Sequence, residues 1–109
     1  MTKADKARFL AFQKVGCVAC RKRWIKSQAD VHHLLAGGKR RGHQYTIPLC
    51  PWHHRGYTPD GMGFEDAEDY YGPSLALKPR KFREAFGTDE CLLRQTDLLV
   101  GMLESREVP

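Results

Sequence analysis

Cys17-Val18-Ala19-Cys20 returns thirty residues later as Cys50-Pro51-Trp52-His53, so the chain carries two chelating pairs of identical spacing. Three thiolates and one imidazole fill the four positions of a tetrahedral zinc ion, and zinc is the metal that this donor set suits. The constraint matters because a chain of 109 residues builds one domain whose core buries only a modest share of its surface. A bound metal contributes folding free energy that such a core lacks. The competing use of Cys17 and Cys20 is a redox couple, which predicts a reversible disulfide and no zinc. No βαβ pattern surrounds them to favour it. Cys91 lies in a helical stretch without a nearby partner and reads as a core residue.

Around the chelating pairs the chain reads as helix, hairpin and helices. Residues 3–15 place Ala4, Ala7, Leu10, Ala11 and Val15 at helical spacing between a Thr2 cap and a Gly16 stop. Residues 30–35 and 44–49 suit two strands joined by the loop Gly37-Gly38-Lys39-Arg40-Arg41-Gly42. Pro51 then opens a short helix through Arg55 that stops near Gly56, giving a β-β-α order. Residues 56–73 show no sustained period and read as a long acidic surface loop with at most one helical turn. A short helix over 80–86 ends at Gly87. Thr88 caps a longer one in which Leu92, Thr96, Leu99 and Leu103 share a face and Gly101 weakens the far end. Trp24 and Trp52 read as core residues rather than base-stacking ones.

Eighteen Lys and Arg against thirteen Asp and Glu leave a net charge of +5, which favours a polyanionic partner such as nucleic acid. Arg21, Lys22, Arg23, Lys26, Lys39, Arg40 and Arg41 crowd around the expected hairpin, and Lys78, Arg80, Lys81 and Arg83 form a second basic stretch. Contacts from such residues to phosphates supply affinity without sequence information. The glycines flanking Lys39, Arg40 and Arg41 permit close backbone approach to a strand. No apolar run is long enough to cross a bilayer, and the first residues do not resemble an export signal. The expected setting is therefore the cytoplasm.

Four of the five histidines form two adjacent pairs, His32-His33 and His53-His54. Neighbours on a helix diverge by about 100°, so His53 can face zinc while His54 turns into the hairpin. Hydrolysis of a phosphodiester needs a divalent cation to stabilise charge on the phosphate and the leaving oxygen, and a neutral imidazole to take a proton from water. The assignment that follows makes His33 the general base and gives His32 and His54 to a catalytic Mg2+ or Mn2+.

The strings Asp30-Val31-His32-His33-Leu34-Leu35 and Ile47-Pro48-Leu49-Cys50-Pro51-Trp52-His53-His54 resemble the HNH, or His-Me finger, endonucleases. In that superfamily a hairpin carries the base histidine beside a metal ligand, and the following helix supplies another ligand. Gly72-Pro73-Ser74-Leu75-Ala76 and Phe82-Arg83-Glu84-Ala85-Phe86-Gly87-Thr88 extend the resemblance, from about residue 16 to residue 99, to the phage recombination-enhancement nucleases. It implies DNA as substrate, a RecA-type filament as partner, and a phage or prophage source. Two features depart from the pattern. The chain contains no asparagine, and His43, Gln44 or Tyr45 stands where the middle residue of HNH belongs. Thr58 stands where many relatives have a further histidine, leaving two protein ligands for the catalytic metal, with Asp30 and Asp60 as candidate replacements or simply turn and cap residues.

The expected fold is α+β: one domain over residues 1–109, with a zinc-stapled ββα-metal finger over about 16–58 and a C-terminal helical buttress over about 74–104. The expected function is DNA endonuclease. A non-catalytic zinc module that binds DNA or a recombination protein would use the same knuckle and basic residues, and the missing asparagine favours it.

Overall fold

The computed structural model describes residues 1–107, with side chains through residue 104. Val108 and Pro109, the end of the span expected for the domain, lie outside the described residues. The architecture mixes helices with two small antiparallel sheets. In chain order the elements are α1 (Lys3–Val15), α2 (Val18–Arg21), β1 (Asp30–His33), β2 (Leu35–Ala36), β3 (Lys39–Arg40), β4 (Thr46–Leu49), α3 (Pro51–Arg55), α4 (Phe64–Tyr71), α5 (Pro79–Phe86) and α6 (Asp89–Glu107).

The expected hairpin forms in two stages. β1 pairs with β4, His32 opposite Ile47 and His33 opposite Thr46. The expected single strand over 30–35 breaks at Leu34, whose side chain is buried and whose N–H and C=O turn to Tyr45 and Arg41. Beyond the break β2 pairs with β3, Leu35 opposite Arg40. The link is Gly37-Gly38, both at positive φ (59° and 79°), as a two-residue turn matching the twist of its strands requires. α3 follows β4 directly, with Cys50 as its N-cap and Gly56 left-handed at its C-terminus. A Cβ at Gly56 would lie 2.8 Å from Leu77 Cγ.

Three expectations need correction. First, residues 64–71, read as loop, form α4. This helix has no side-chain N-cap, so the sequence carries no start signal, and its C-terminus is secured by other elements. Second, α1 does not bury the Ala/Leu stripe. Leu10 is 70 % exposed, and the inner face is Asp5, Arg8, Phe12 and Val15. Third, Trp24 is 97 % exposed rather than core. It sits at φ 61° in the turn after α2, a left-handed conformation that costs an L-residue about 1–2 kcal/mol. Trp52 is buried as expected, donating from Nε1 to the Gly72 carbonyl at 2.8 Å. Cys91 is only half-buried. Thr88 Oγ1 accepts from the Cys91 N–H as a cap should. α6 runs through Gly101 to Glu107, burying Leu92, Leu93, Thr96 and Val100.

Arg8 explains the inner face of α1. Its guanidinium donates to Thr46 Oγ1 (3.0 Å) and the Thr46 carbonyl (2.6 Å) in β4, and pairs with Asp97 of α6 (2.8 Å). One buried cation thus ties α1, β4 and α6 together, and Thr46 Oγ1 donates onward to the His43 carbonyl at 2.8 Å. Because truncation strands buried acceptors, Arg8→Met should lower the stability of the metal-loaded protein by about 2–3 kcal/mol in urea unfolding. A loss comparable to that of an exposed charge would show that the buried network contributes little.

Asp5 supplies a pH signature for the same corner. Gln44 Nε2 donates to Asp5 Oδ1 at 2.6 Å, and Thr2 completes a capping box. The Gln44 hydrogen bond first, then the Thr2 backbone N–H, holds the Asp5 carboxyl down at about 2. The folded state therefore favours the ionised form. Its contribution is full above the ordinary value of 3.8 and is lost as pH falls from there towards about 2. Asp5→Asn should flatten the fall in thermal midpoint across that window.

Candidate metal centre and histidine cluster

Cys17 and Cys50 cap the short helices α2 and α3, and this places both knuckles. Each cap Sγ accepts the N–H three residues on: Cys20 N at 3.4 Å and His53 N at 3.5 Å. The second ligand of each pair is thereby turned back towards the first. Cys17, Cys20, Cys50 and His53 are all buried, with ligand atoms within 4.8 Å of one another, and they are the one group of three or more such ligands among the described residues.

The spacing can be tested against the metal. Tetrahedral zinc with Zn–S near 2.3 Å and Zn–N near 2.0–2.1 Å places sulfurs about 3.8 Å apart and sulfur and nitrogen about 3.6 Å apart. Cys20 and Cys50 Sγ are 3.8 Å apart. His53 Nδ1 lies 3.4, 3.6 and 3.3 Å from Cys17, Cys20 and Cys50 Sγ. The cluster can hold a structural metal such as zinc.

His53 Nε2–H donates to the Tyr71 carbonyl at 2.8 Å, leaving the Nδ1 lone pair for the cluster, the outer support a ligating histidine commonly has. Burial pushes the Cys17 thiol up, and Cys20 rises to about 11 with Cys50 and burial raising it against the Cys17 hydrogen bond. Hydrogen bonds from Cys17 and Cys20 drive Cys50 the other way, to the thiolate.

The basic run beside the first knuckle has a structural task that its sequence conceals. Arg21 donates to the Val15 carbonyl at the end of α1 (3.2 Å), Lys22 to Phe86 at the end of α5 (2.6 Å), and Arg23 to Asp69 and Tyr70 at the end of α4 (2.9 and 3.0 Å). Three consecutive cations thus cap three helix C-termini, where orphan carbonyls and the negative dipole end favour them. Arg41 pairs with Glu90 and covers the Tyr45 ring at 4.3 Å. Lys39 and Arg40 stand exposed on β3. In the second basic stretch, Lys78, Arg80 and Arg83 reach Glu68, Glu84 and Asp89.

The remaining histidines gather on β1, the loop before β4, and α3. Alternation along a strand sends Asp30 and His32 to one face and Val31 and His33 to the other. On the first face the His32 and His54 rings meet edge to face, centroids 5.1 Å apart, and His54 Nδ1 lies 3.4 Å from Asp30 Oδ2. Arg55 Nε lies 3.7 Å from the same oxygen. Burial, then the His54 charge, holds His32 down at about 4, so its ring is neutral at physiological pH. On the second face His33 Nε2 lies 3.2 Å from His43 Nδ1, and Phe9 of α1 meets both rings edge-on. Burial first, then the Arg40 charge, lowers His33 below its ordinary value.

Of His43, Gln44 and Tyr45, it is His43 that reaches His33, while Gln44 is occupied by Asp5 and Tyr45 by Arg41. Asp60 and Thr58 have no placed role beside His32 or His54. Two supporting groups were not legible. The Tyr71 carbonyl is backbone, which no residue type announces. Phe9 has no motif and is identified only by packing.

If the Cys17, Cys20, Cys50 and His53 cluster holds zinc, the purified protein should contain one zinc per chain by elemental analysis. Removing it with a strong chelator should abolish the cooperative thermal transition, as binding free energy becomes folding free energy. An apo chain with an unchanged midpoint would separate the cluster from folding.

A comparison with curated proteins found no match. A family model described as recombination enhancement, RecA-dependent nuclease matches residues 1–100. With its metal cluster and histidine groups lying within that match, the chain belongs to the recombination enhancement, RecA-dependent nuclease family.

Proposed function

We propose that the chain is a DNA endonuclease of the HNH type, a single nuclease domain that hydrolyses phosphodiester bonds at joints made by a RecA-type filament in the cytoplasm. The observation that carries this reading is the division of labour on β1: His32 meets His54 on one face, and His33 meets His43 on the other. The unit β1–β4–α3 is the ββα-metal finger, and zinc on Cys17, Cys20, Cys50 and His53 staples it.

His32 and His54 would hold the catalytic divalent ion, and with Asp30 at His54 Nδ1 the other nitrogen of that ring, Nε2, is left for it. Bound there, Mg2+ or Mn2+ supplies charge stabilisation to the scissile phosphate and the leaving 3′ oxygen. So small a set of protein ligands would suit magnesium, which usually keeps several of its waters. Asp30 supports a ligand rather than replacing one.

His33 is the base. With His33 Nε2–H donating to His43 Nδ1, the His33 Nδ1 lone pair is available to accept a proton from the attacking water, and His43 holds the ring as the positive charge develops. Arg40, close enough to bias His33, and its neighbour Lys39 contact the backbone of the cut strand. Arg21, Lys22, Arg23 and Arg41 act on DNA only with donors left over from their caps and ion pair.

The test is cleavage of labelled plasmid and of recombinase-paired joint DNA in Mg2+ or Mn2+, comparing wild type with a His33→Ala variant that retains zinc. Wild type should cut and His33→Ala should be slower by about 10²–10⁴-fold. Tight DNA binding without cutting by either would make the chain a non-catalytic module. For the positioning role, His43→Phe keeps a ring against Phe9 but no acceptor and should lower kcat about 100-fold at unchanged KM. His43→Asn should recover much of it. Equal loss in both variants would limit His43 to packing.

A further inference from the structure

Trp24 is the most exposed large apolar side chain among the described residues, at 97 %, and the one non-glycine residue there with positive φ. A bulky side chain gains nothing from either condition. Glycine would occupy that backbone without strain, and a polar residue would suit the solvent. The turn that enforces the conformation is anchored on the metal knuckle: the Arg23 and Ile25 N–H groups both donate to the Cys20 carbonyl (2.9 and 3.0 Å), and Trp24 N–H donates to Arg21 (3.1 Å). Backbone strain of this kind persists where the surroundings over-determine it, and it clusters at functional positions.

The surroundings of the indole narrow the ligand. A shallow cleft beside it is lined by Lys14, Arg21, Ile25 and Lys26, so every charged side chain in the lining is a cation. An aromatic face framed by cations is the combination that binds single-stranded nucleic acid, the ring stacking on a base while the cations follow the phosphates. A base inside a duplex has both faces covered by its neighbours, so a projecting indole stacks on an unpaired base without the unstacking cost that a duplex step imposes. A protein partner would have to cover three cations together with the ring.

We propose that Trp24, with Lys14, Arg21 and Lys26, forms a single-stranded DNA subsite in which the indole stacks on an unpaired base. The subsite uses none of the histidines and stands apart from the hydrolytic reading. Trp52, the other tryptophan, is buried, so Trp24 dominates fluorescence changes caused by a surface ligand.

The experiment titrates the zinc-loaded full chain with a short single-stranded oligonucleotide of mixed sequence and with the matching duplex. Single-stranded DNA should quench tryptophan emission, and Trp24→Leu, which keeps apolar bulk, should abolish the quench and weaken single-strand affinity about 5- to 100-fold. Duplex affinity should change less than about twofold. Trp24→Gly should lose the same affinity while keeping its zinc and raising Tm through relief of strain, which separates lost stacking from lost folding. Absence of quenching, Trp24→Leu binding single strands like wild type, or equal loss on duplex would overturn the proposal. So would loss of binding to a recombinase filament with naked single-strand affinity intact, which would assign the surface to a protein.

Discussion

His53 is the residue on which the rest of the structure depends, because its two ring nitrogens face different parts of the chain. Nδ1 closes the cluster with Cys17, Cys20 and Cys50, joining α2 to the start of α3. Nε2–H holds the Tyr71 carbonyl and so brings in the end of α4. The His53 backbone carbonyl accepts from Leu75 N–H at 3.0 Å, and Phe82 and Phe86 of α5 pack on its ring at 5.7 and 5.1 Å. A residue that ties four segments in this way also fixes His54, its neighbour, on the other side of α3 against His32. The Cys17, Cys20, Cys50 and His53 cluster and the His32–His54 pair thus lie on opposite sides of one short helix.

The knuckles, the β-β-α order and the closing helices α5 and α6 were legible because each rests on a local rule: ligand spacing, strand alternation, Pro51 at a helix start, Gly56 and Gly87 at helix ends. The elements that were not legible owe their form to distant partners. α4 has no cap of its own, and its C-terminal carbonyls are taken by Arg23, Trp52 and His53, which lie 18 or more residues away. The inner face of α1 was misread because a buried arginine looks like a surface residue until Thr46 and Asp97 are in place. Trp24 was misread for the opposite reason, since size and apolarity alone predict burial. At the histidines, adjacency along the chain points to His32, His33 and His54 as candidates, but only the fold separates the two faces of β1 and brings His43 to His33.

Charge in this small fold carries more than one role. Net charge favours a polyanion, yet the densest basic run, Arg21 to Arg23, spends hydrogen bonds on helix ends. Lys39 and Arg40 at the Gly-Gly hairpin stand exposed, as does Lys26 beside Trp24. The proposed contacts to nucleic acid would therefore draw on side chains that also hold the fold together, and a loss of DNA binding in an Arg21 or Arg23 variant has to be read together with its unfolding midpoint.

The most direct measurement is anomalous diffraction from crystals of the zinc-loaded protein soaked in Mn2+, with data at the absorption edges of both metals. The predicted result is two separate peaks, zinc among Cys17, Cys20, Cys50 and His53, and manganese between His32 and His54 with Asp30 outside its ligand shell. Manganese elsewhere, or zinc bound by His54 in place of His53, would contradict the separation of a structural staple from a hydrolytic centre.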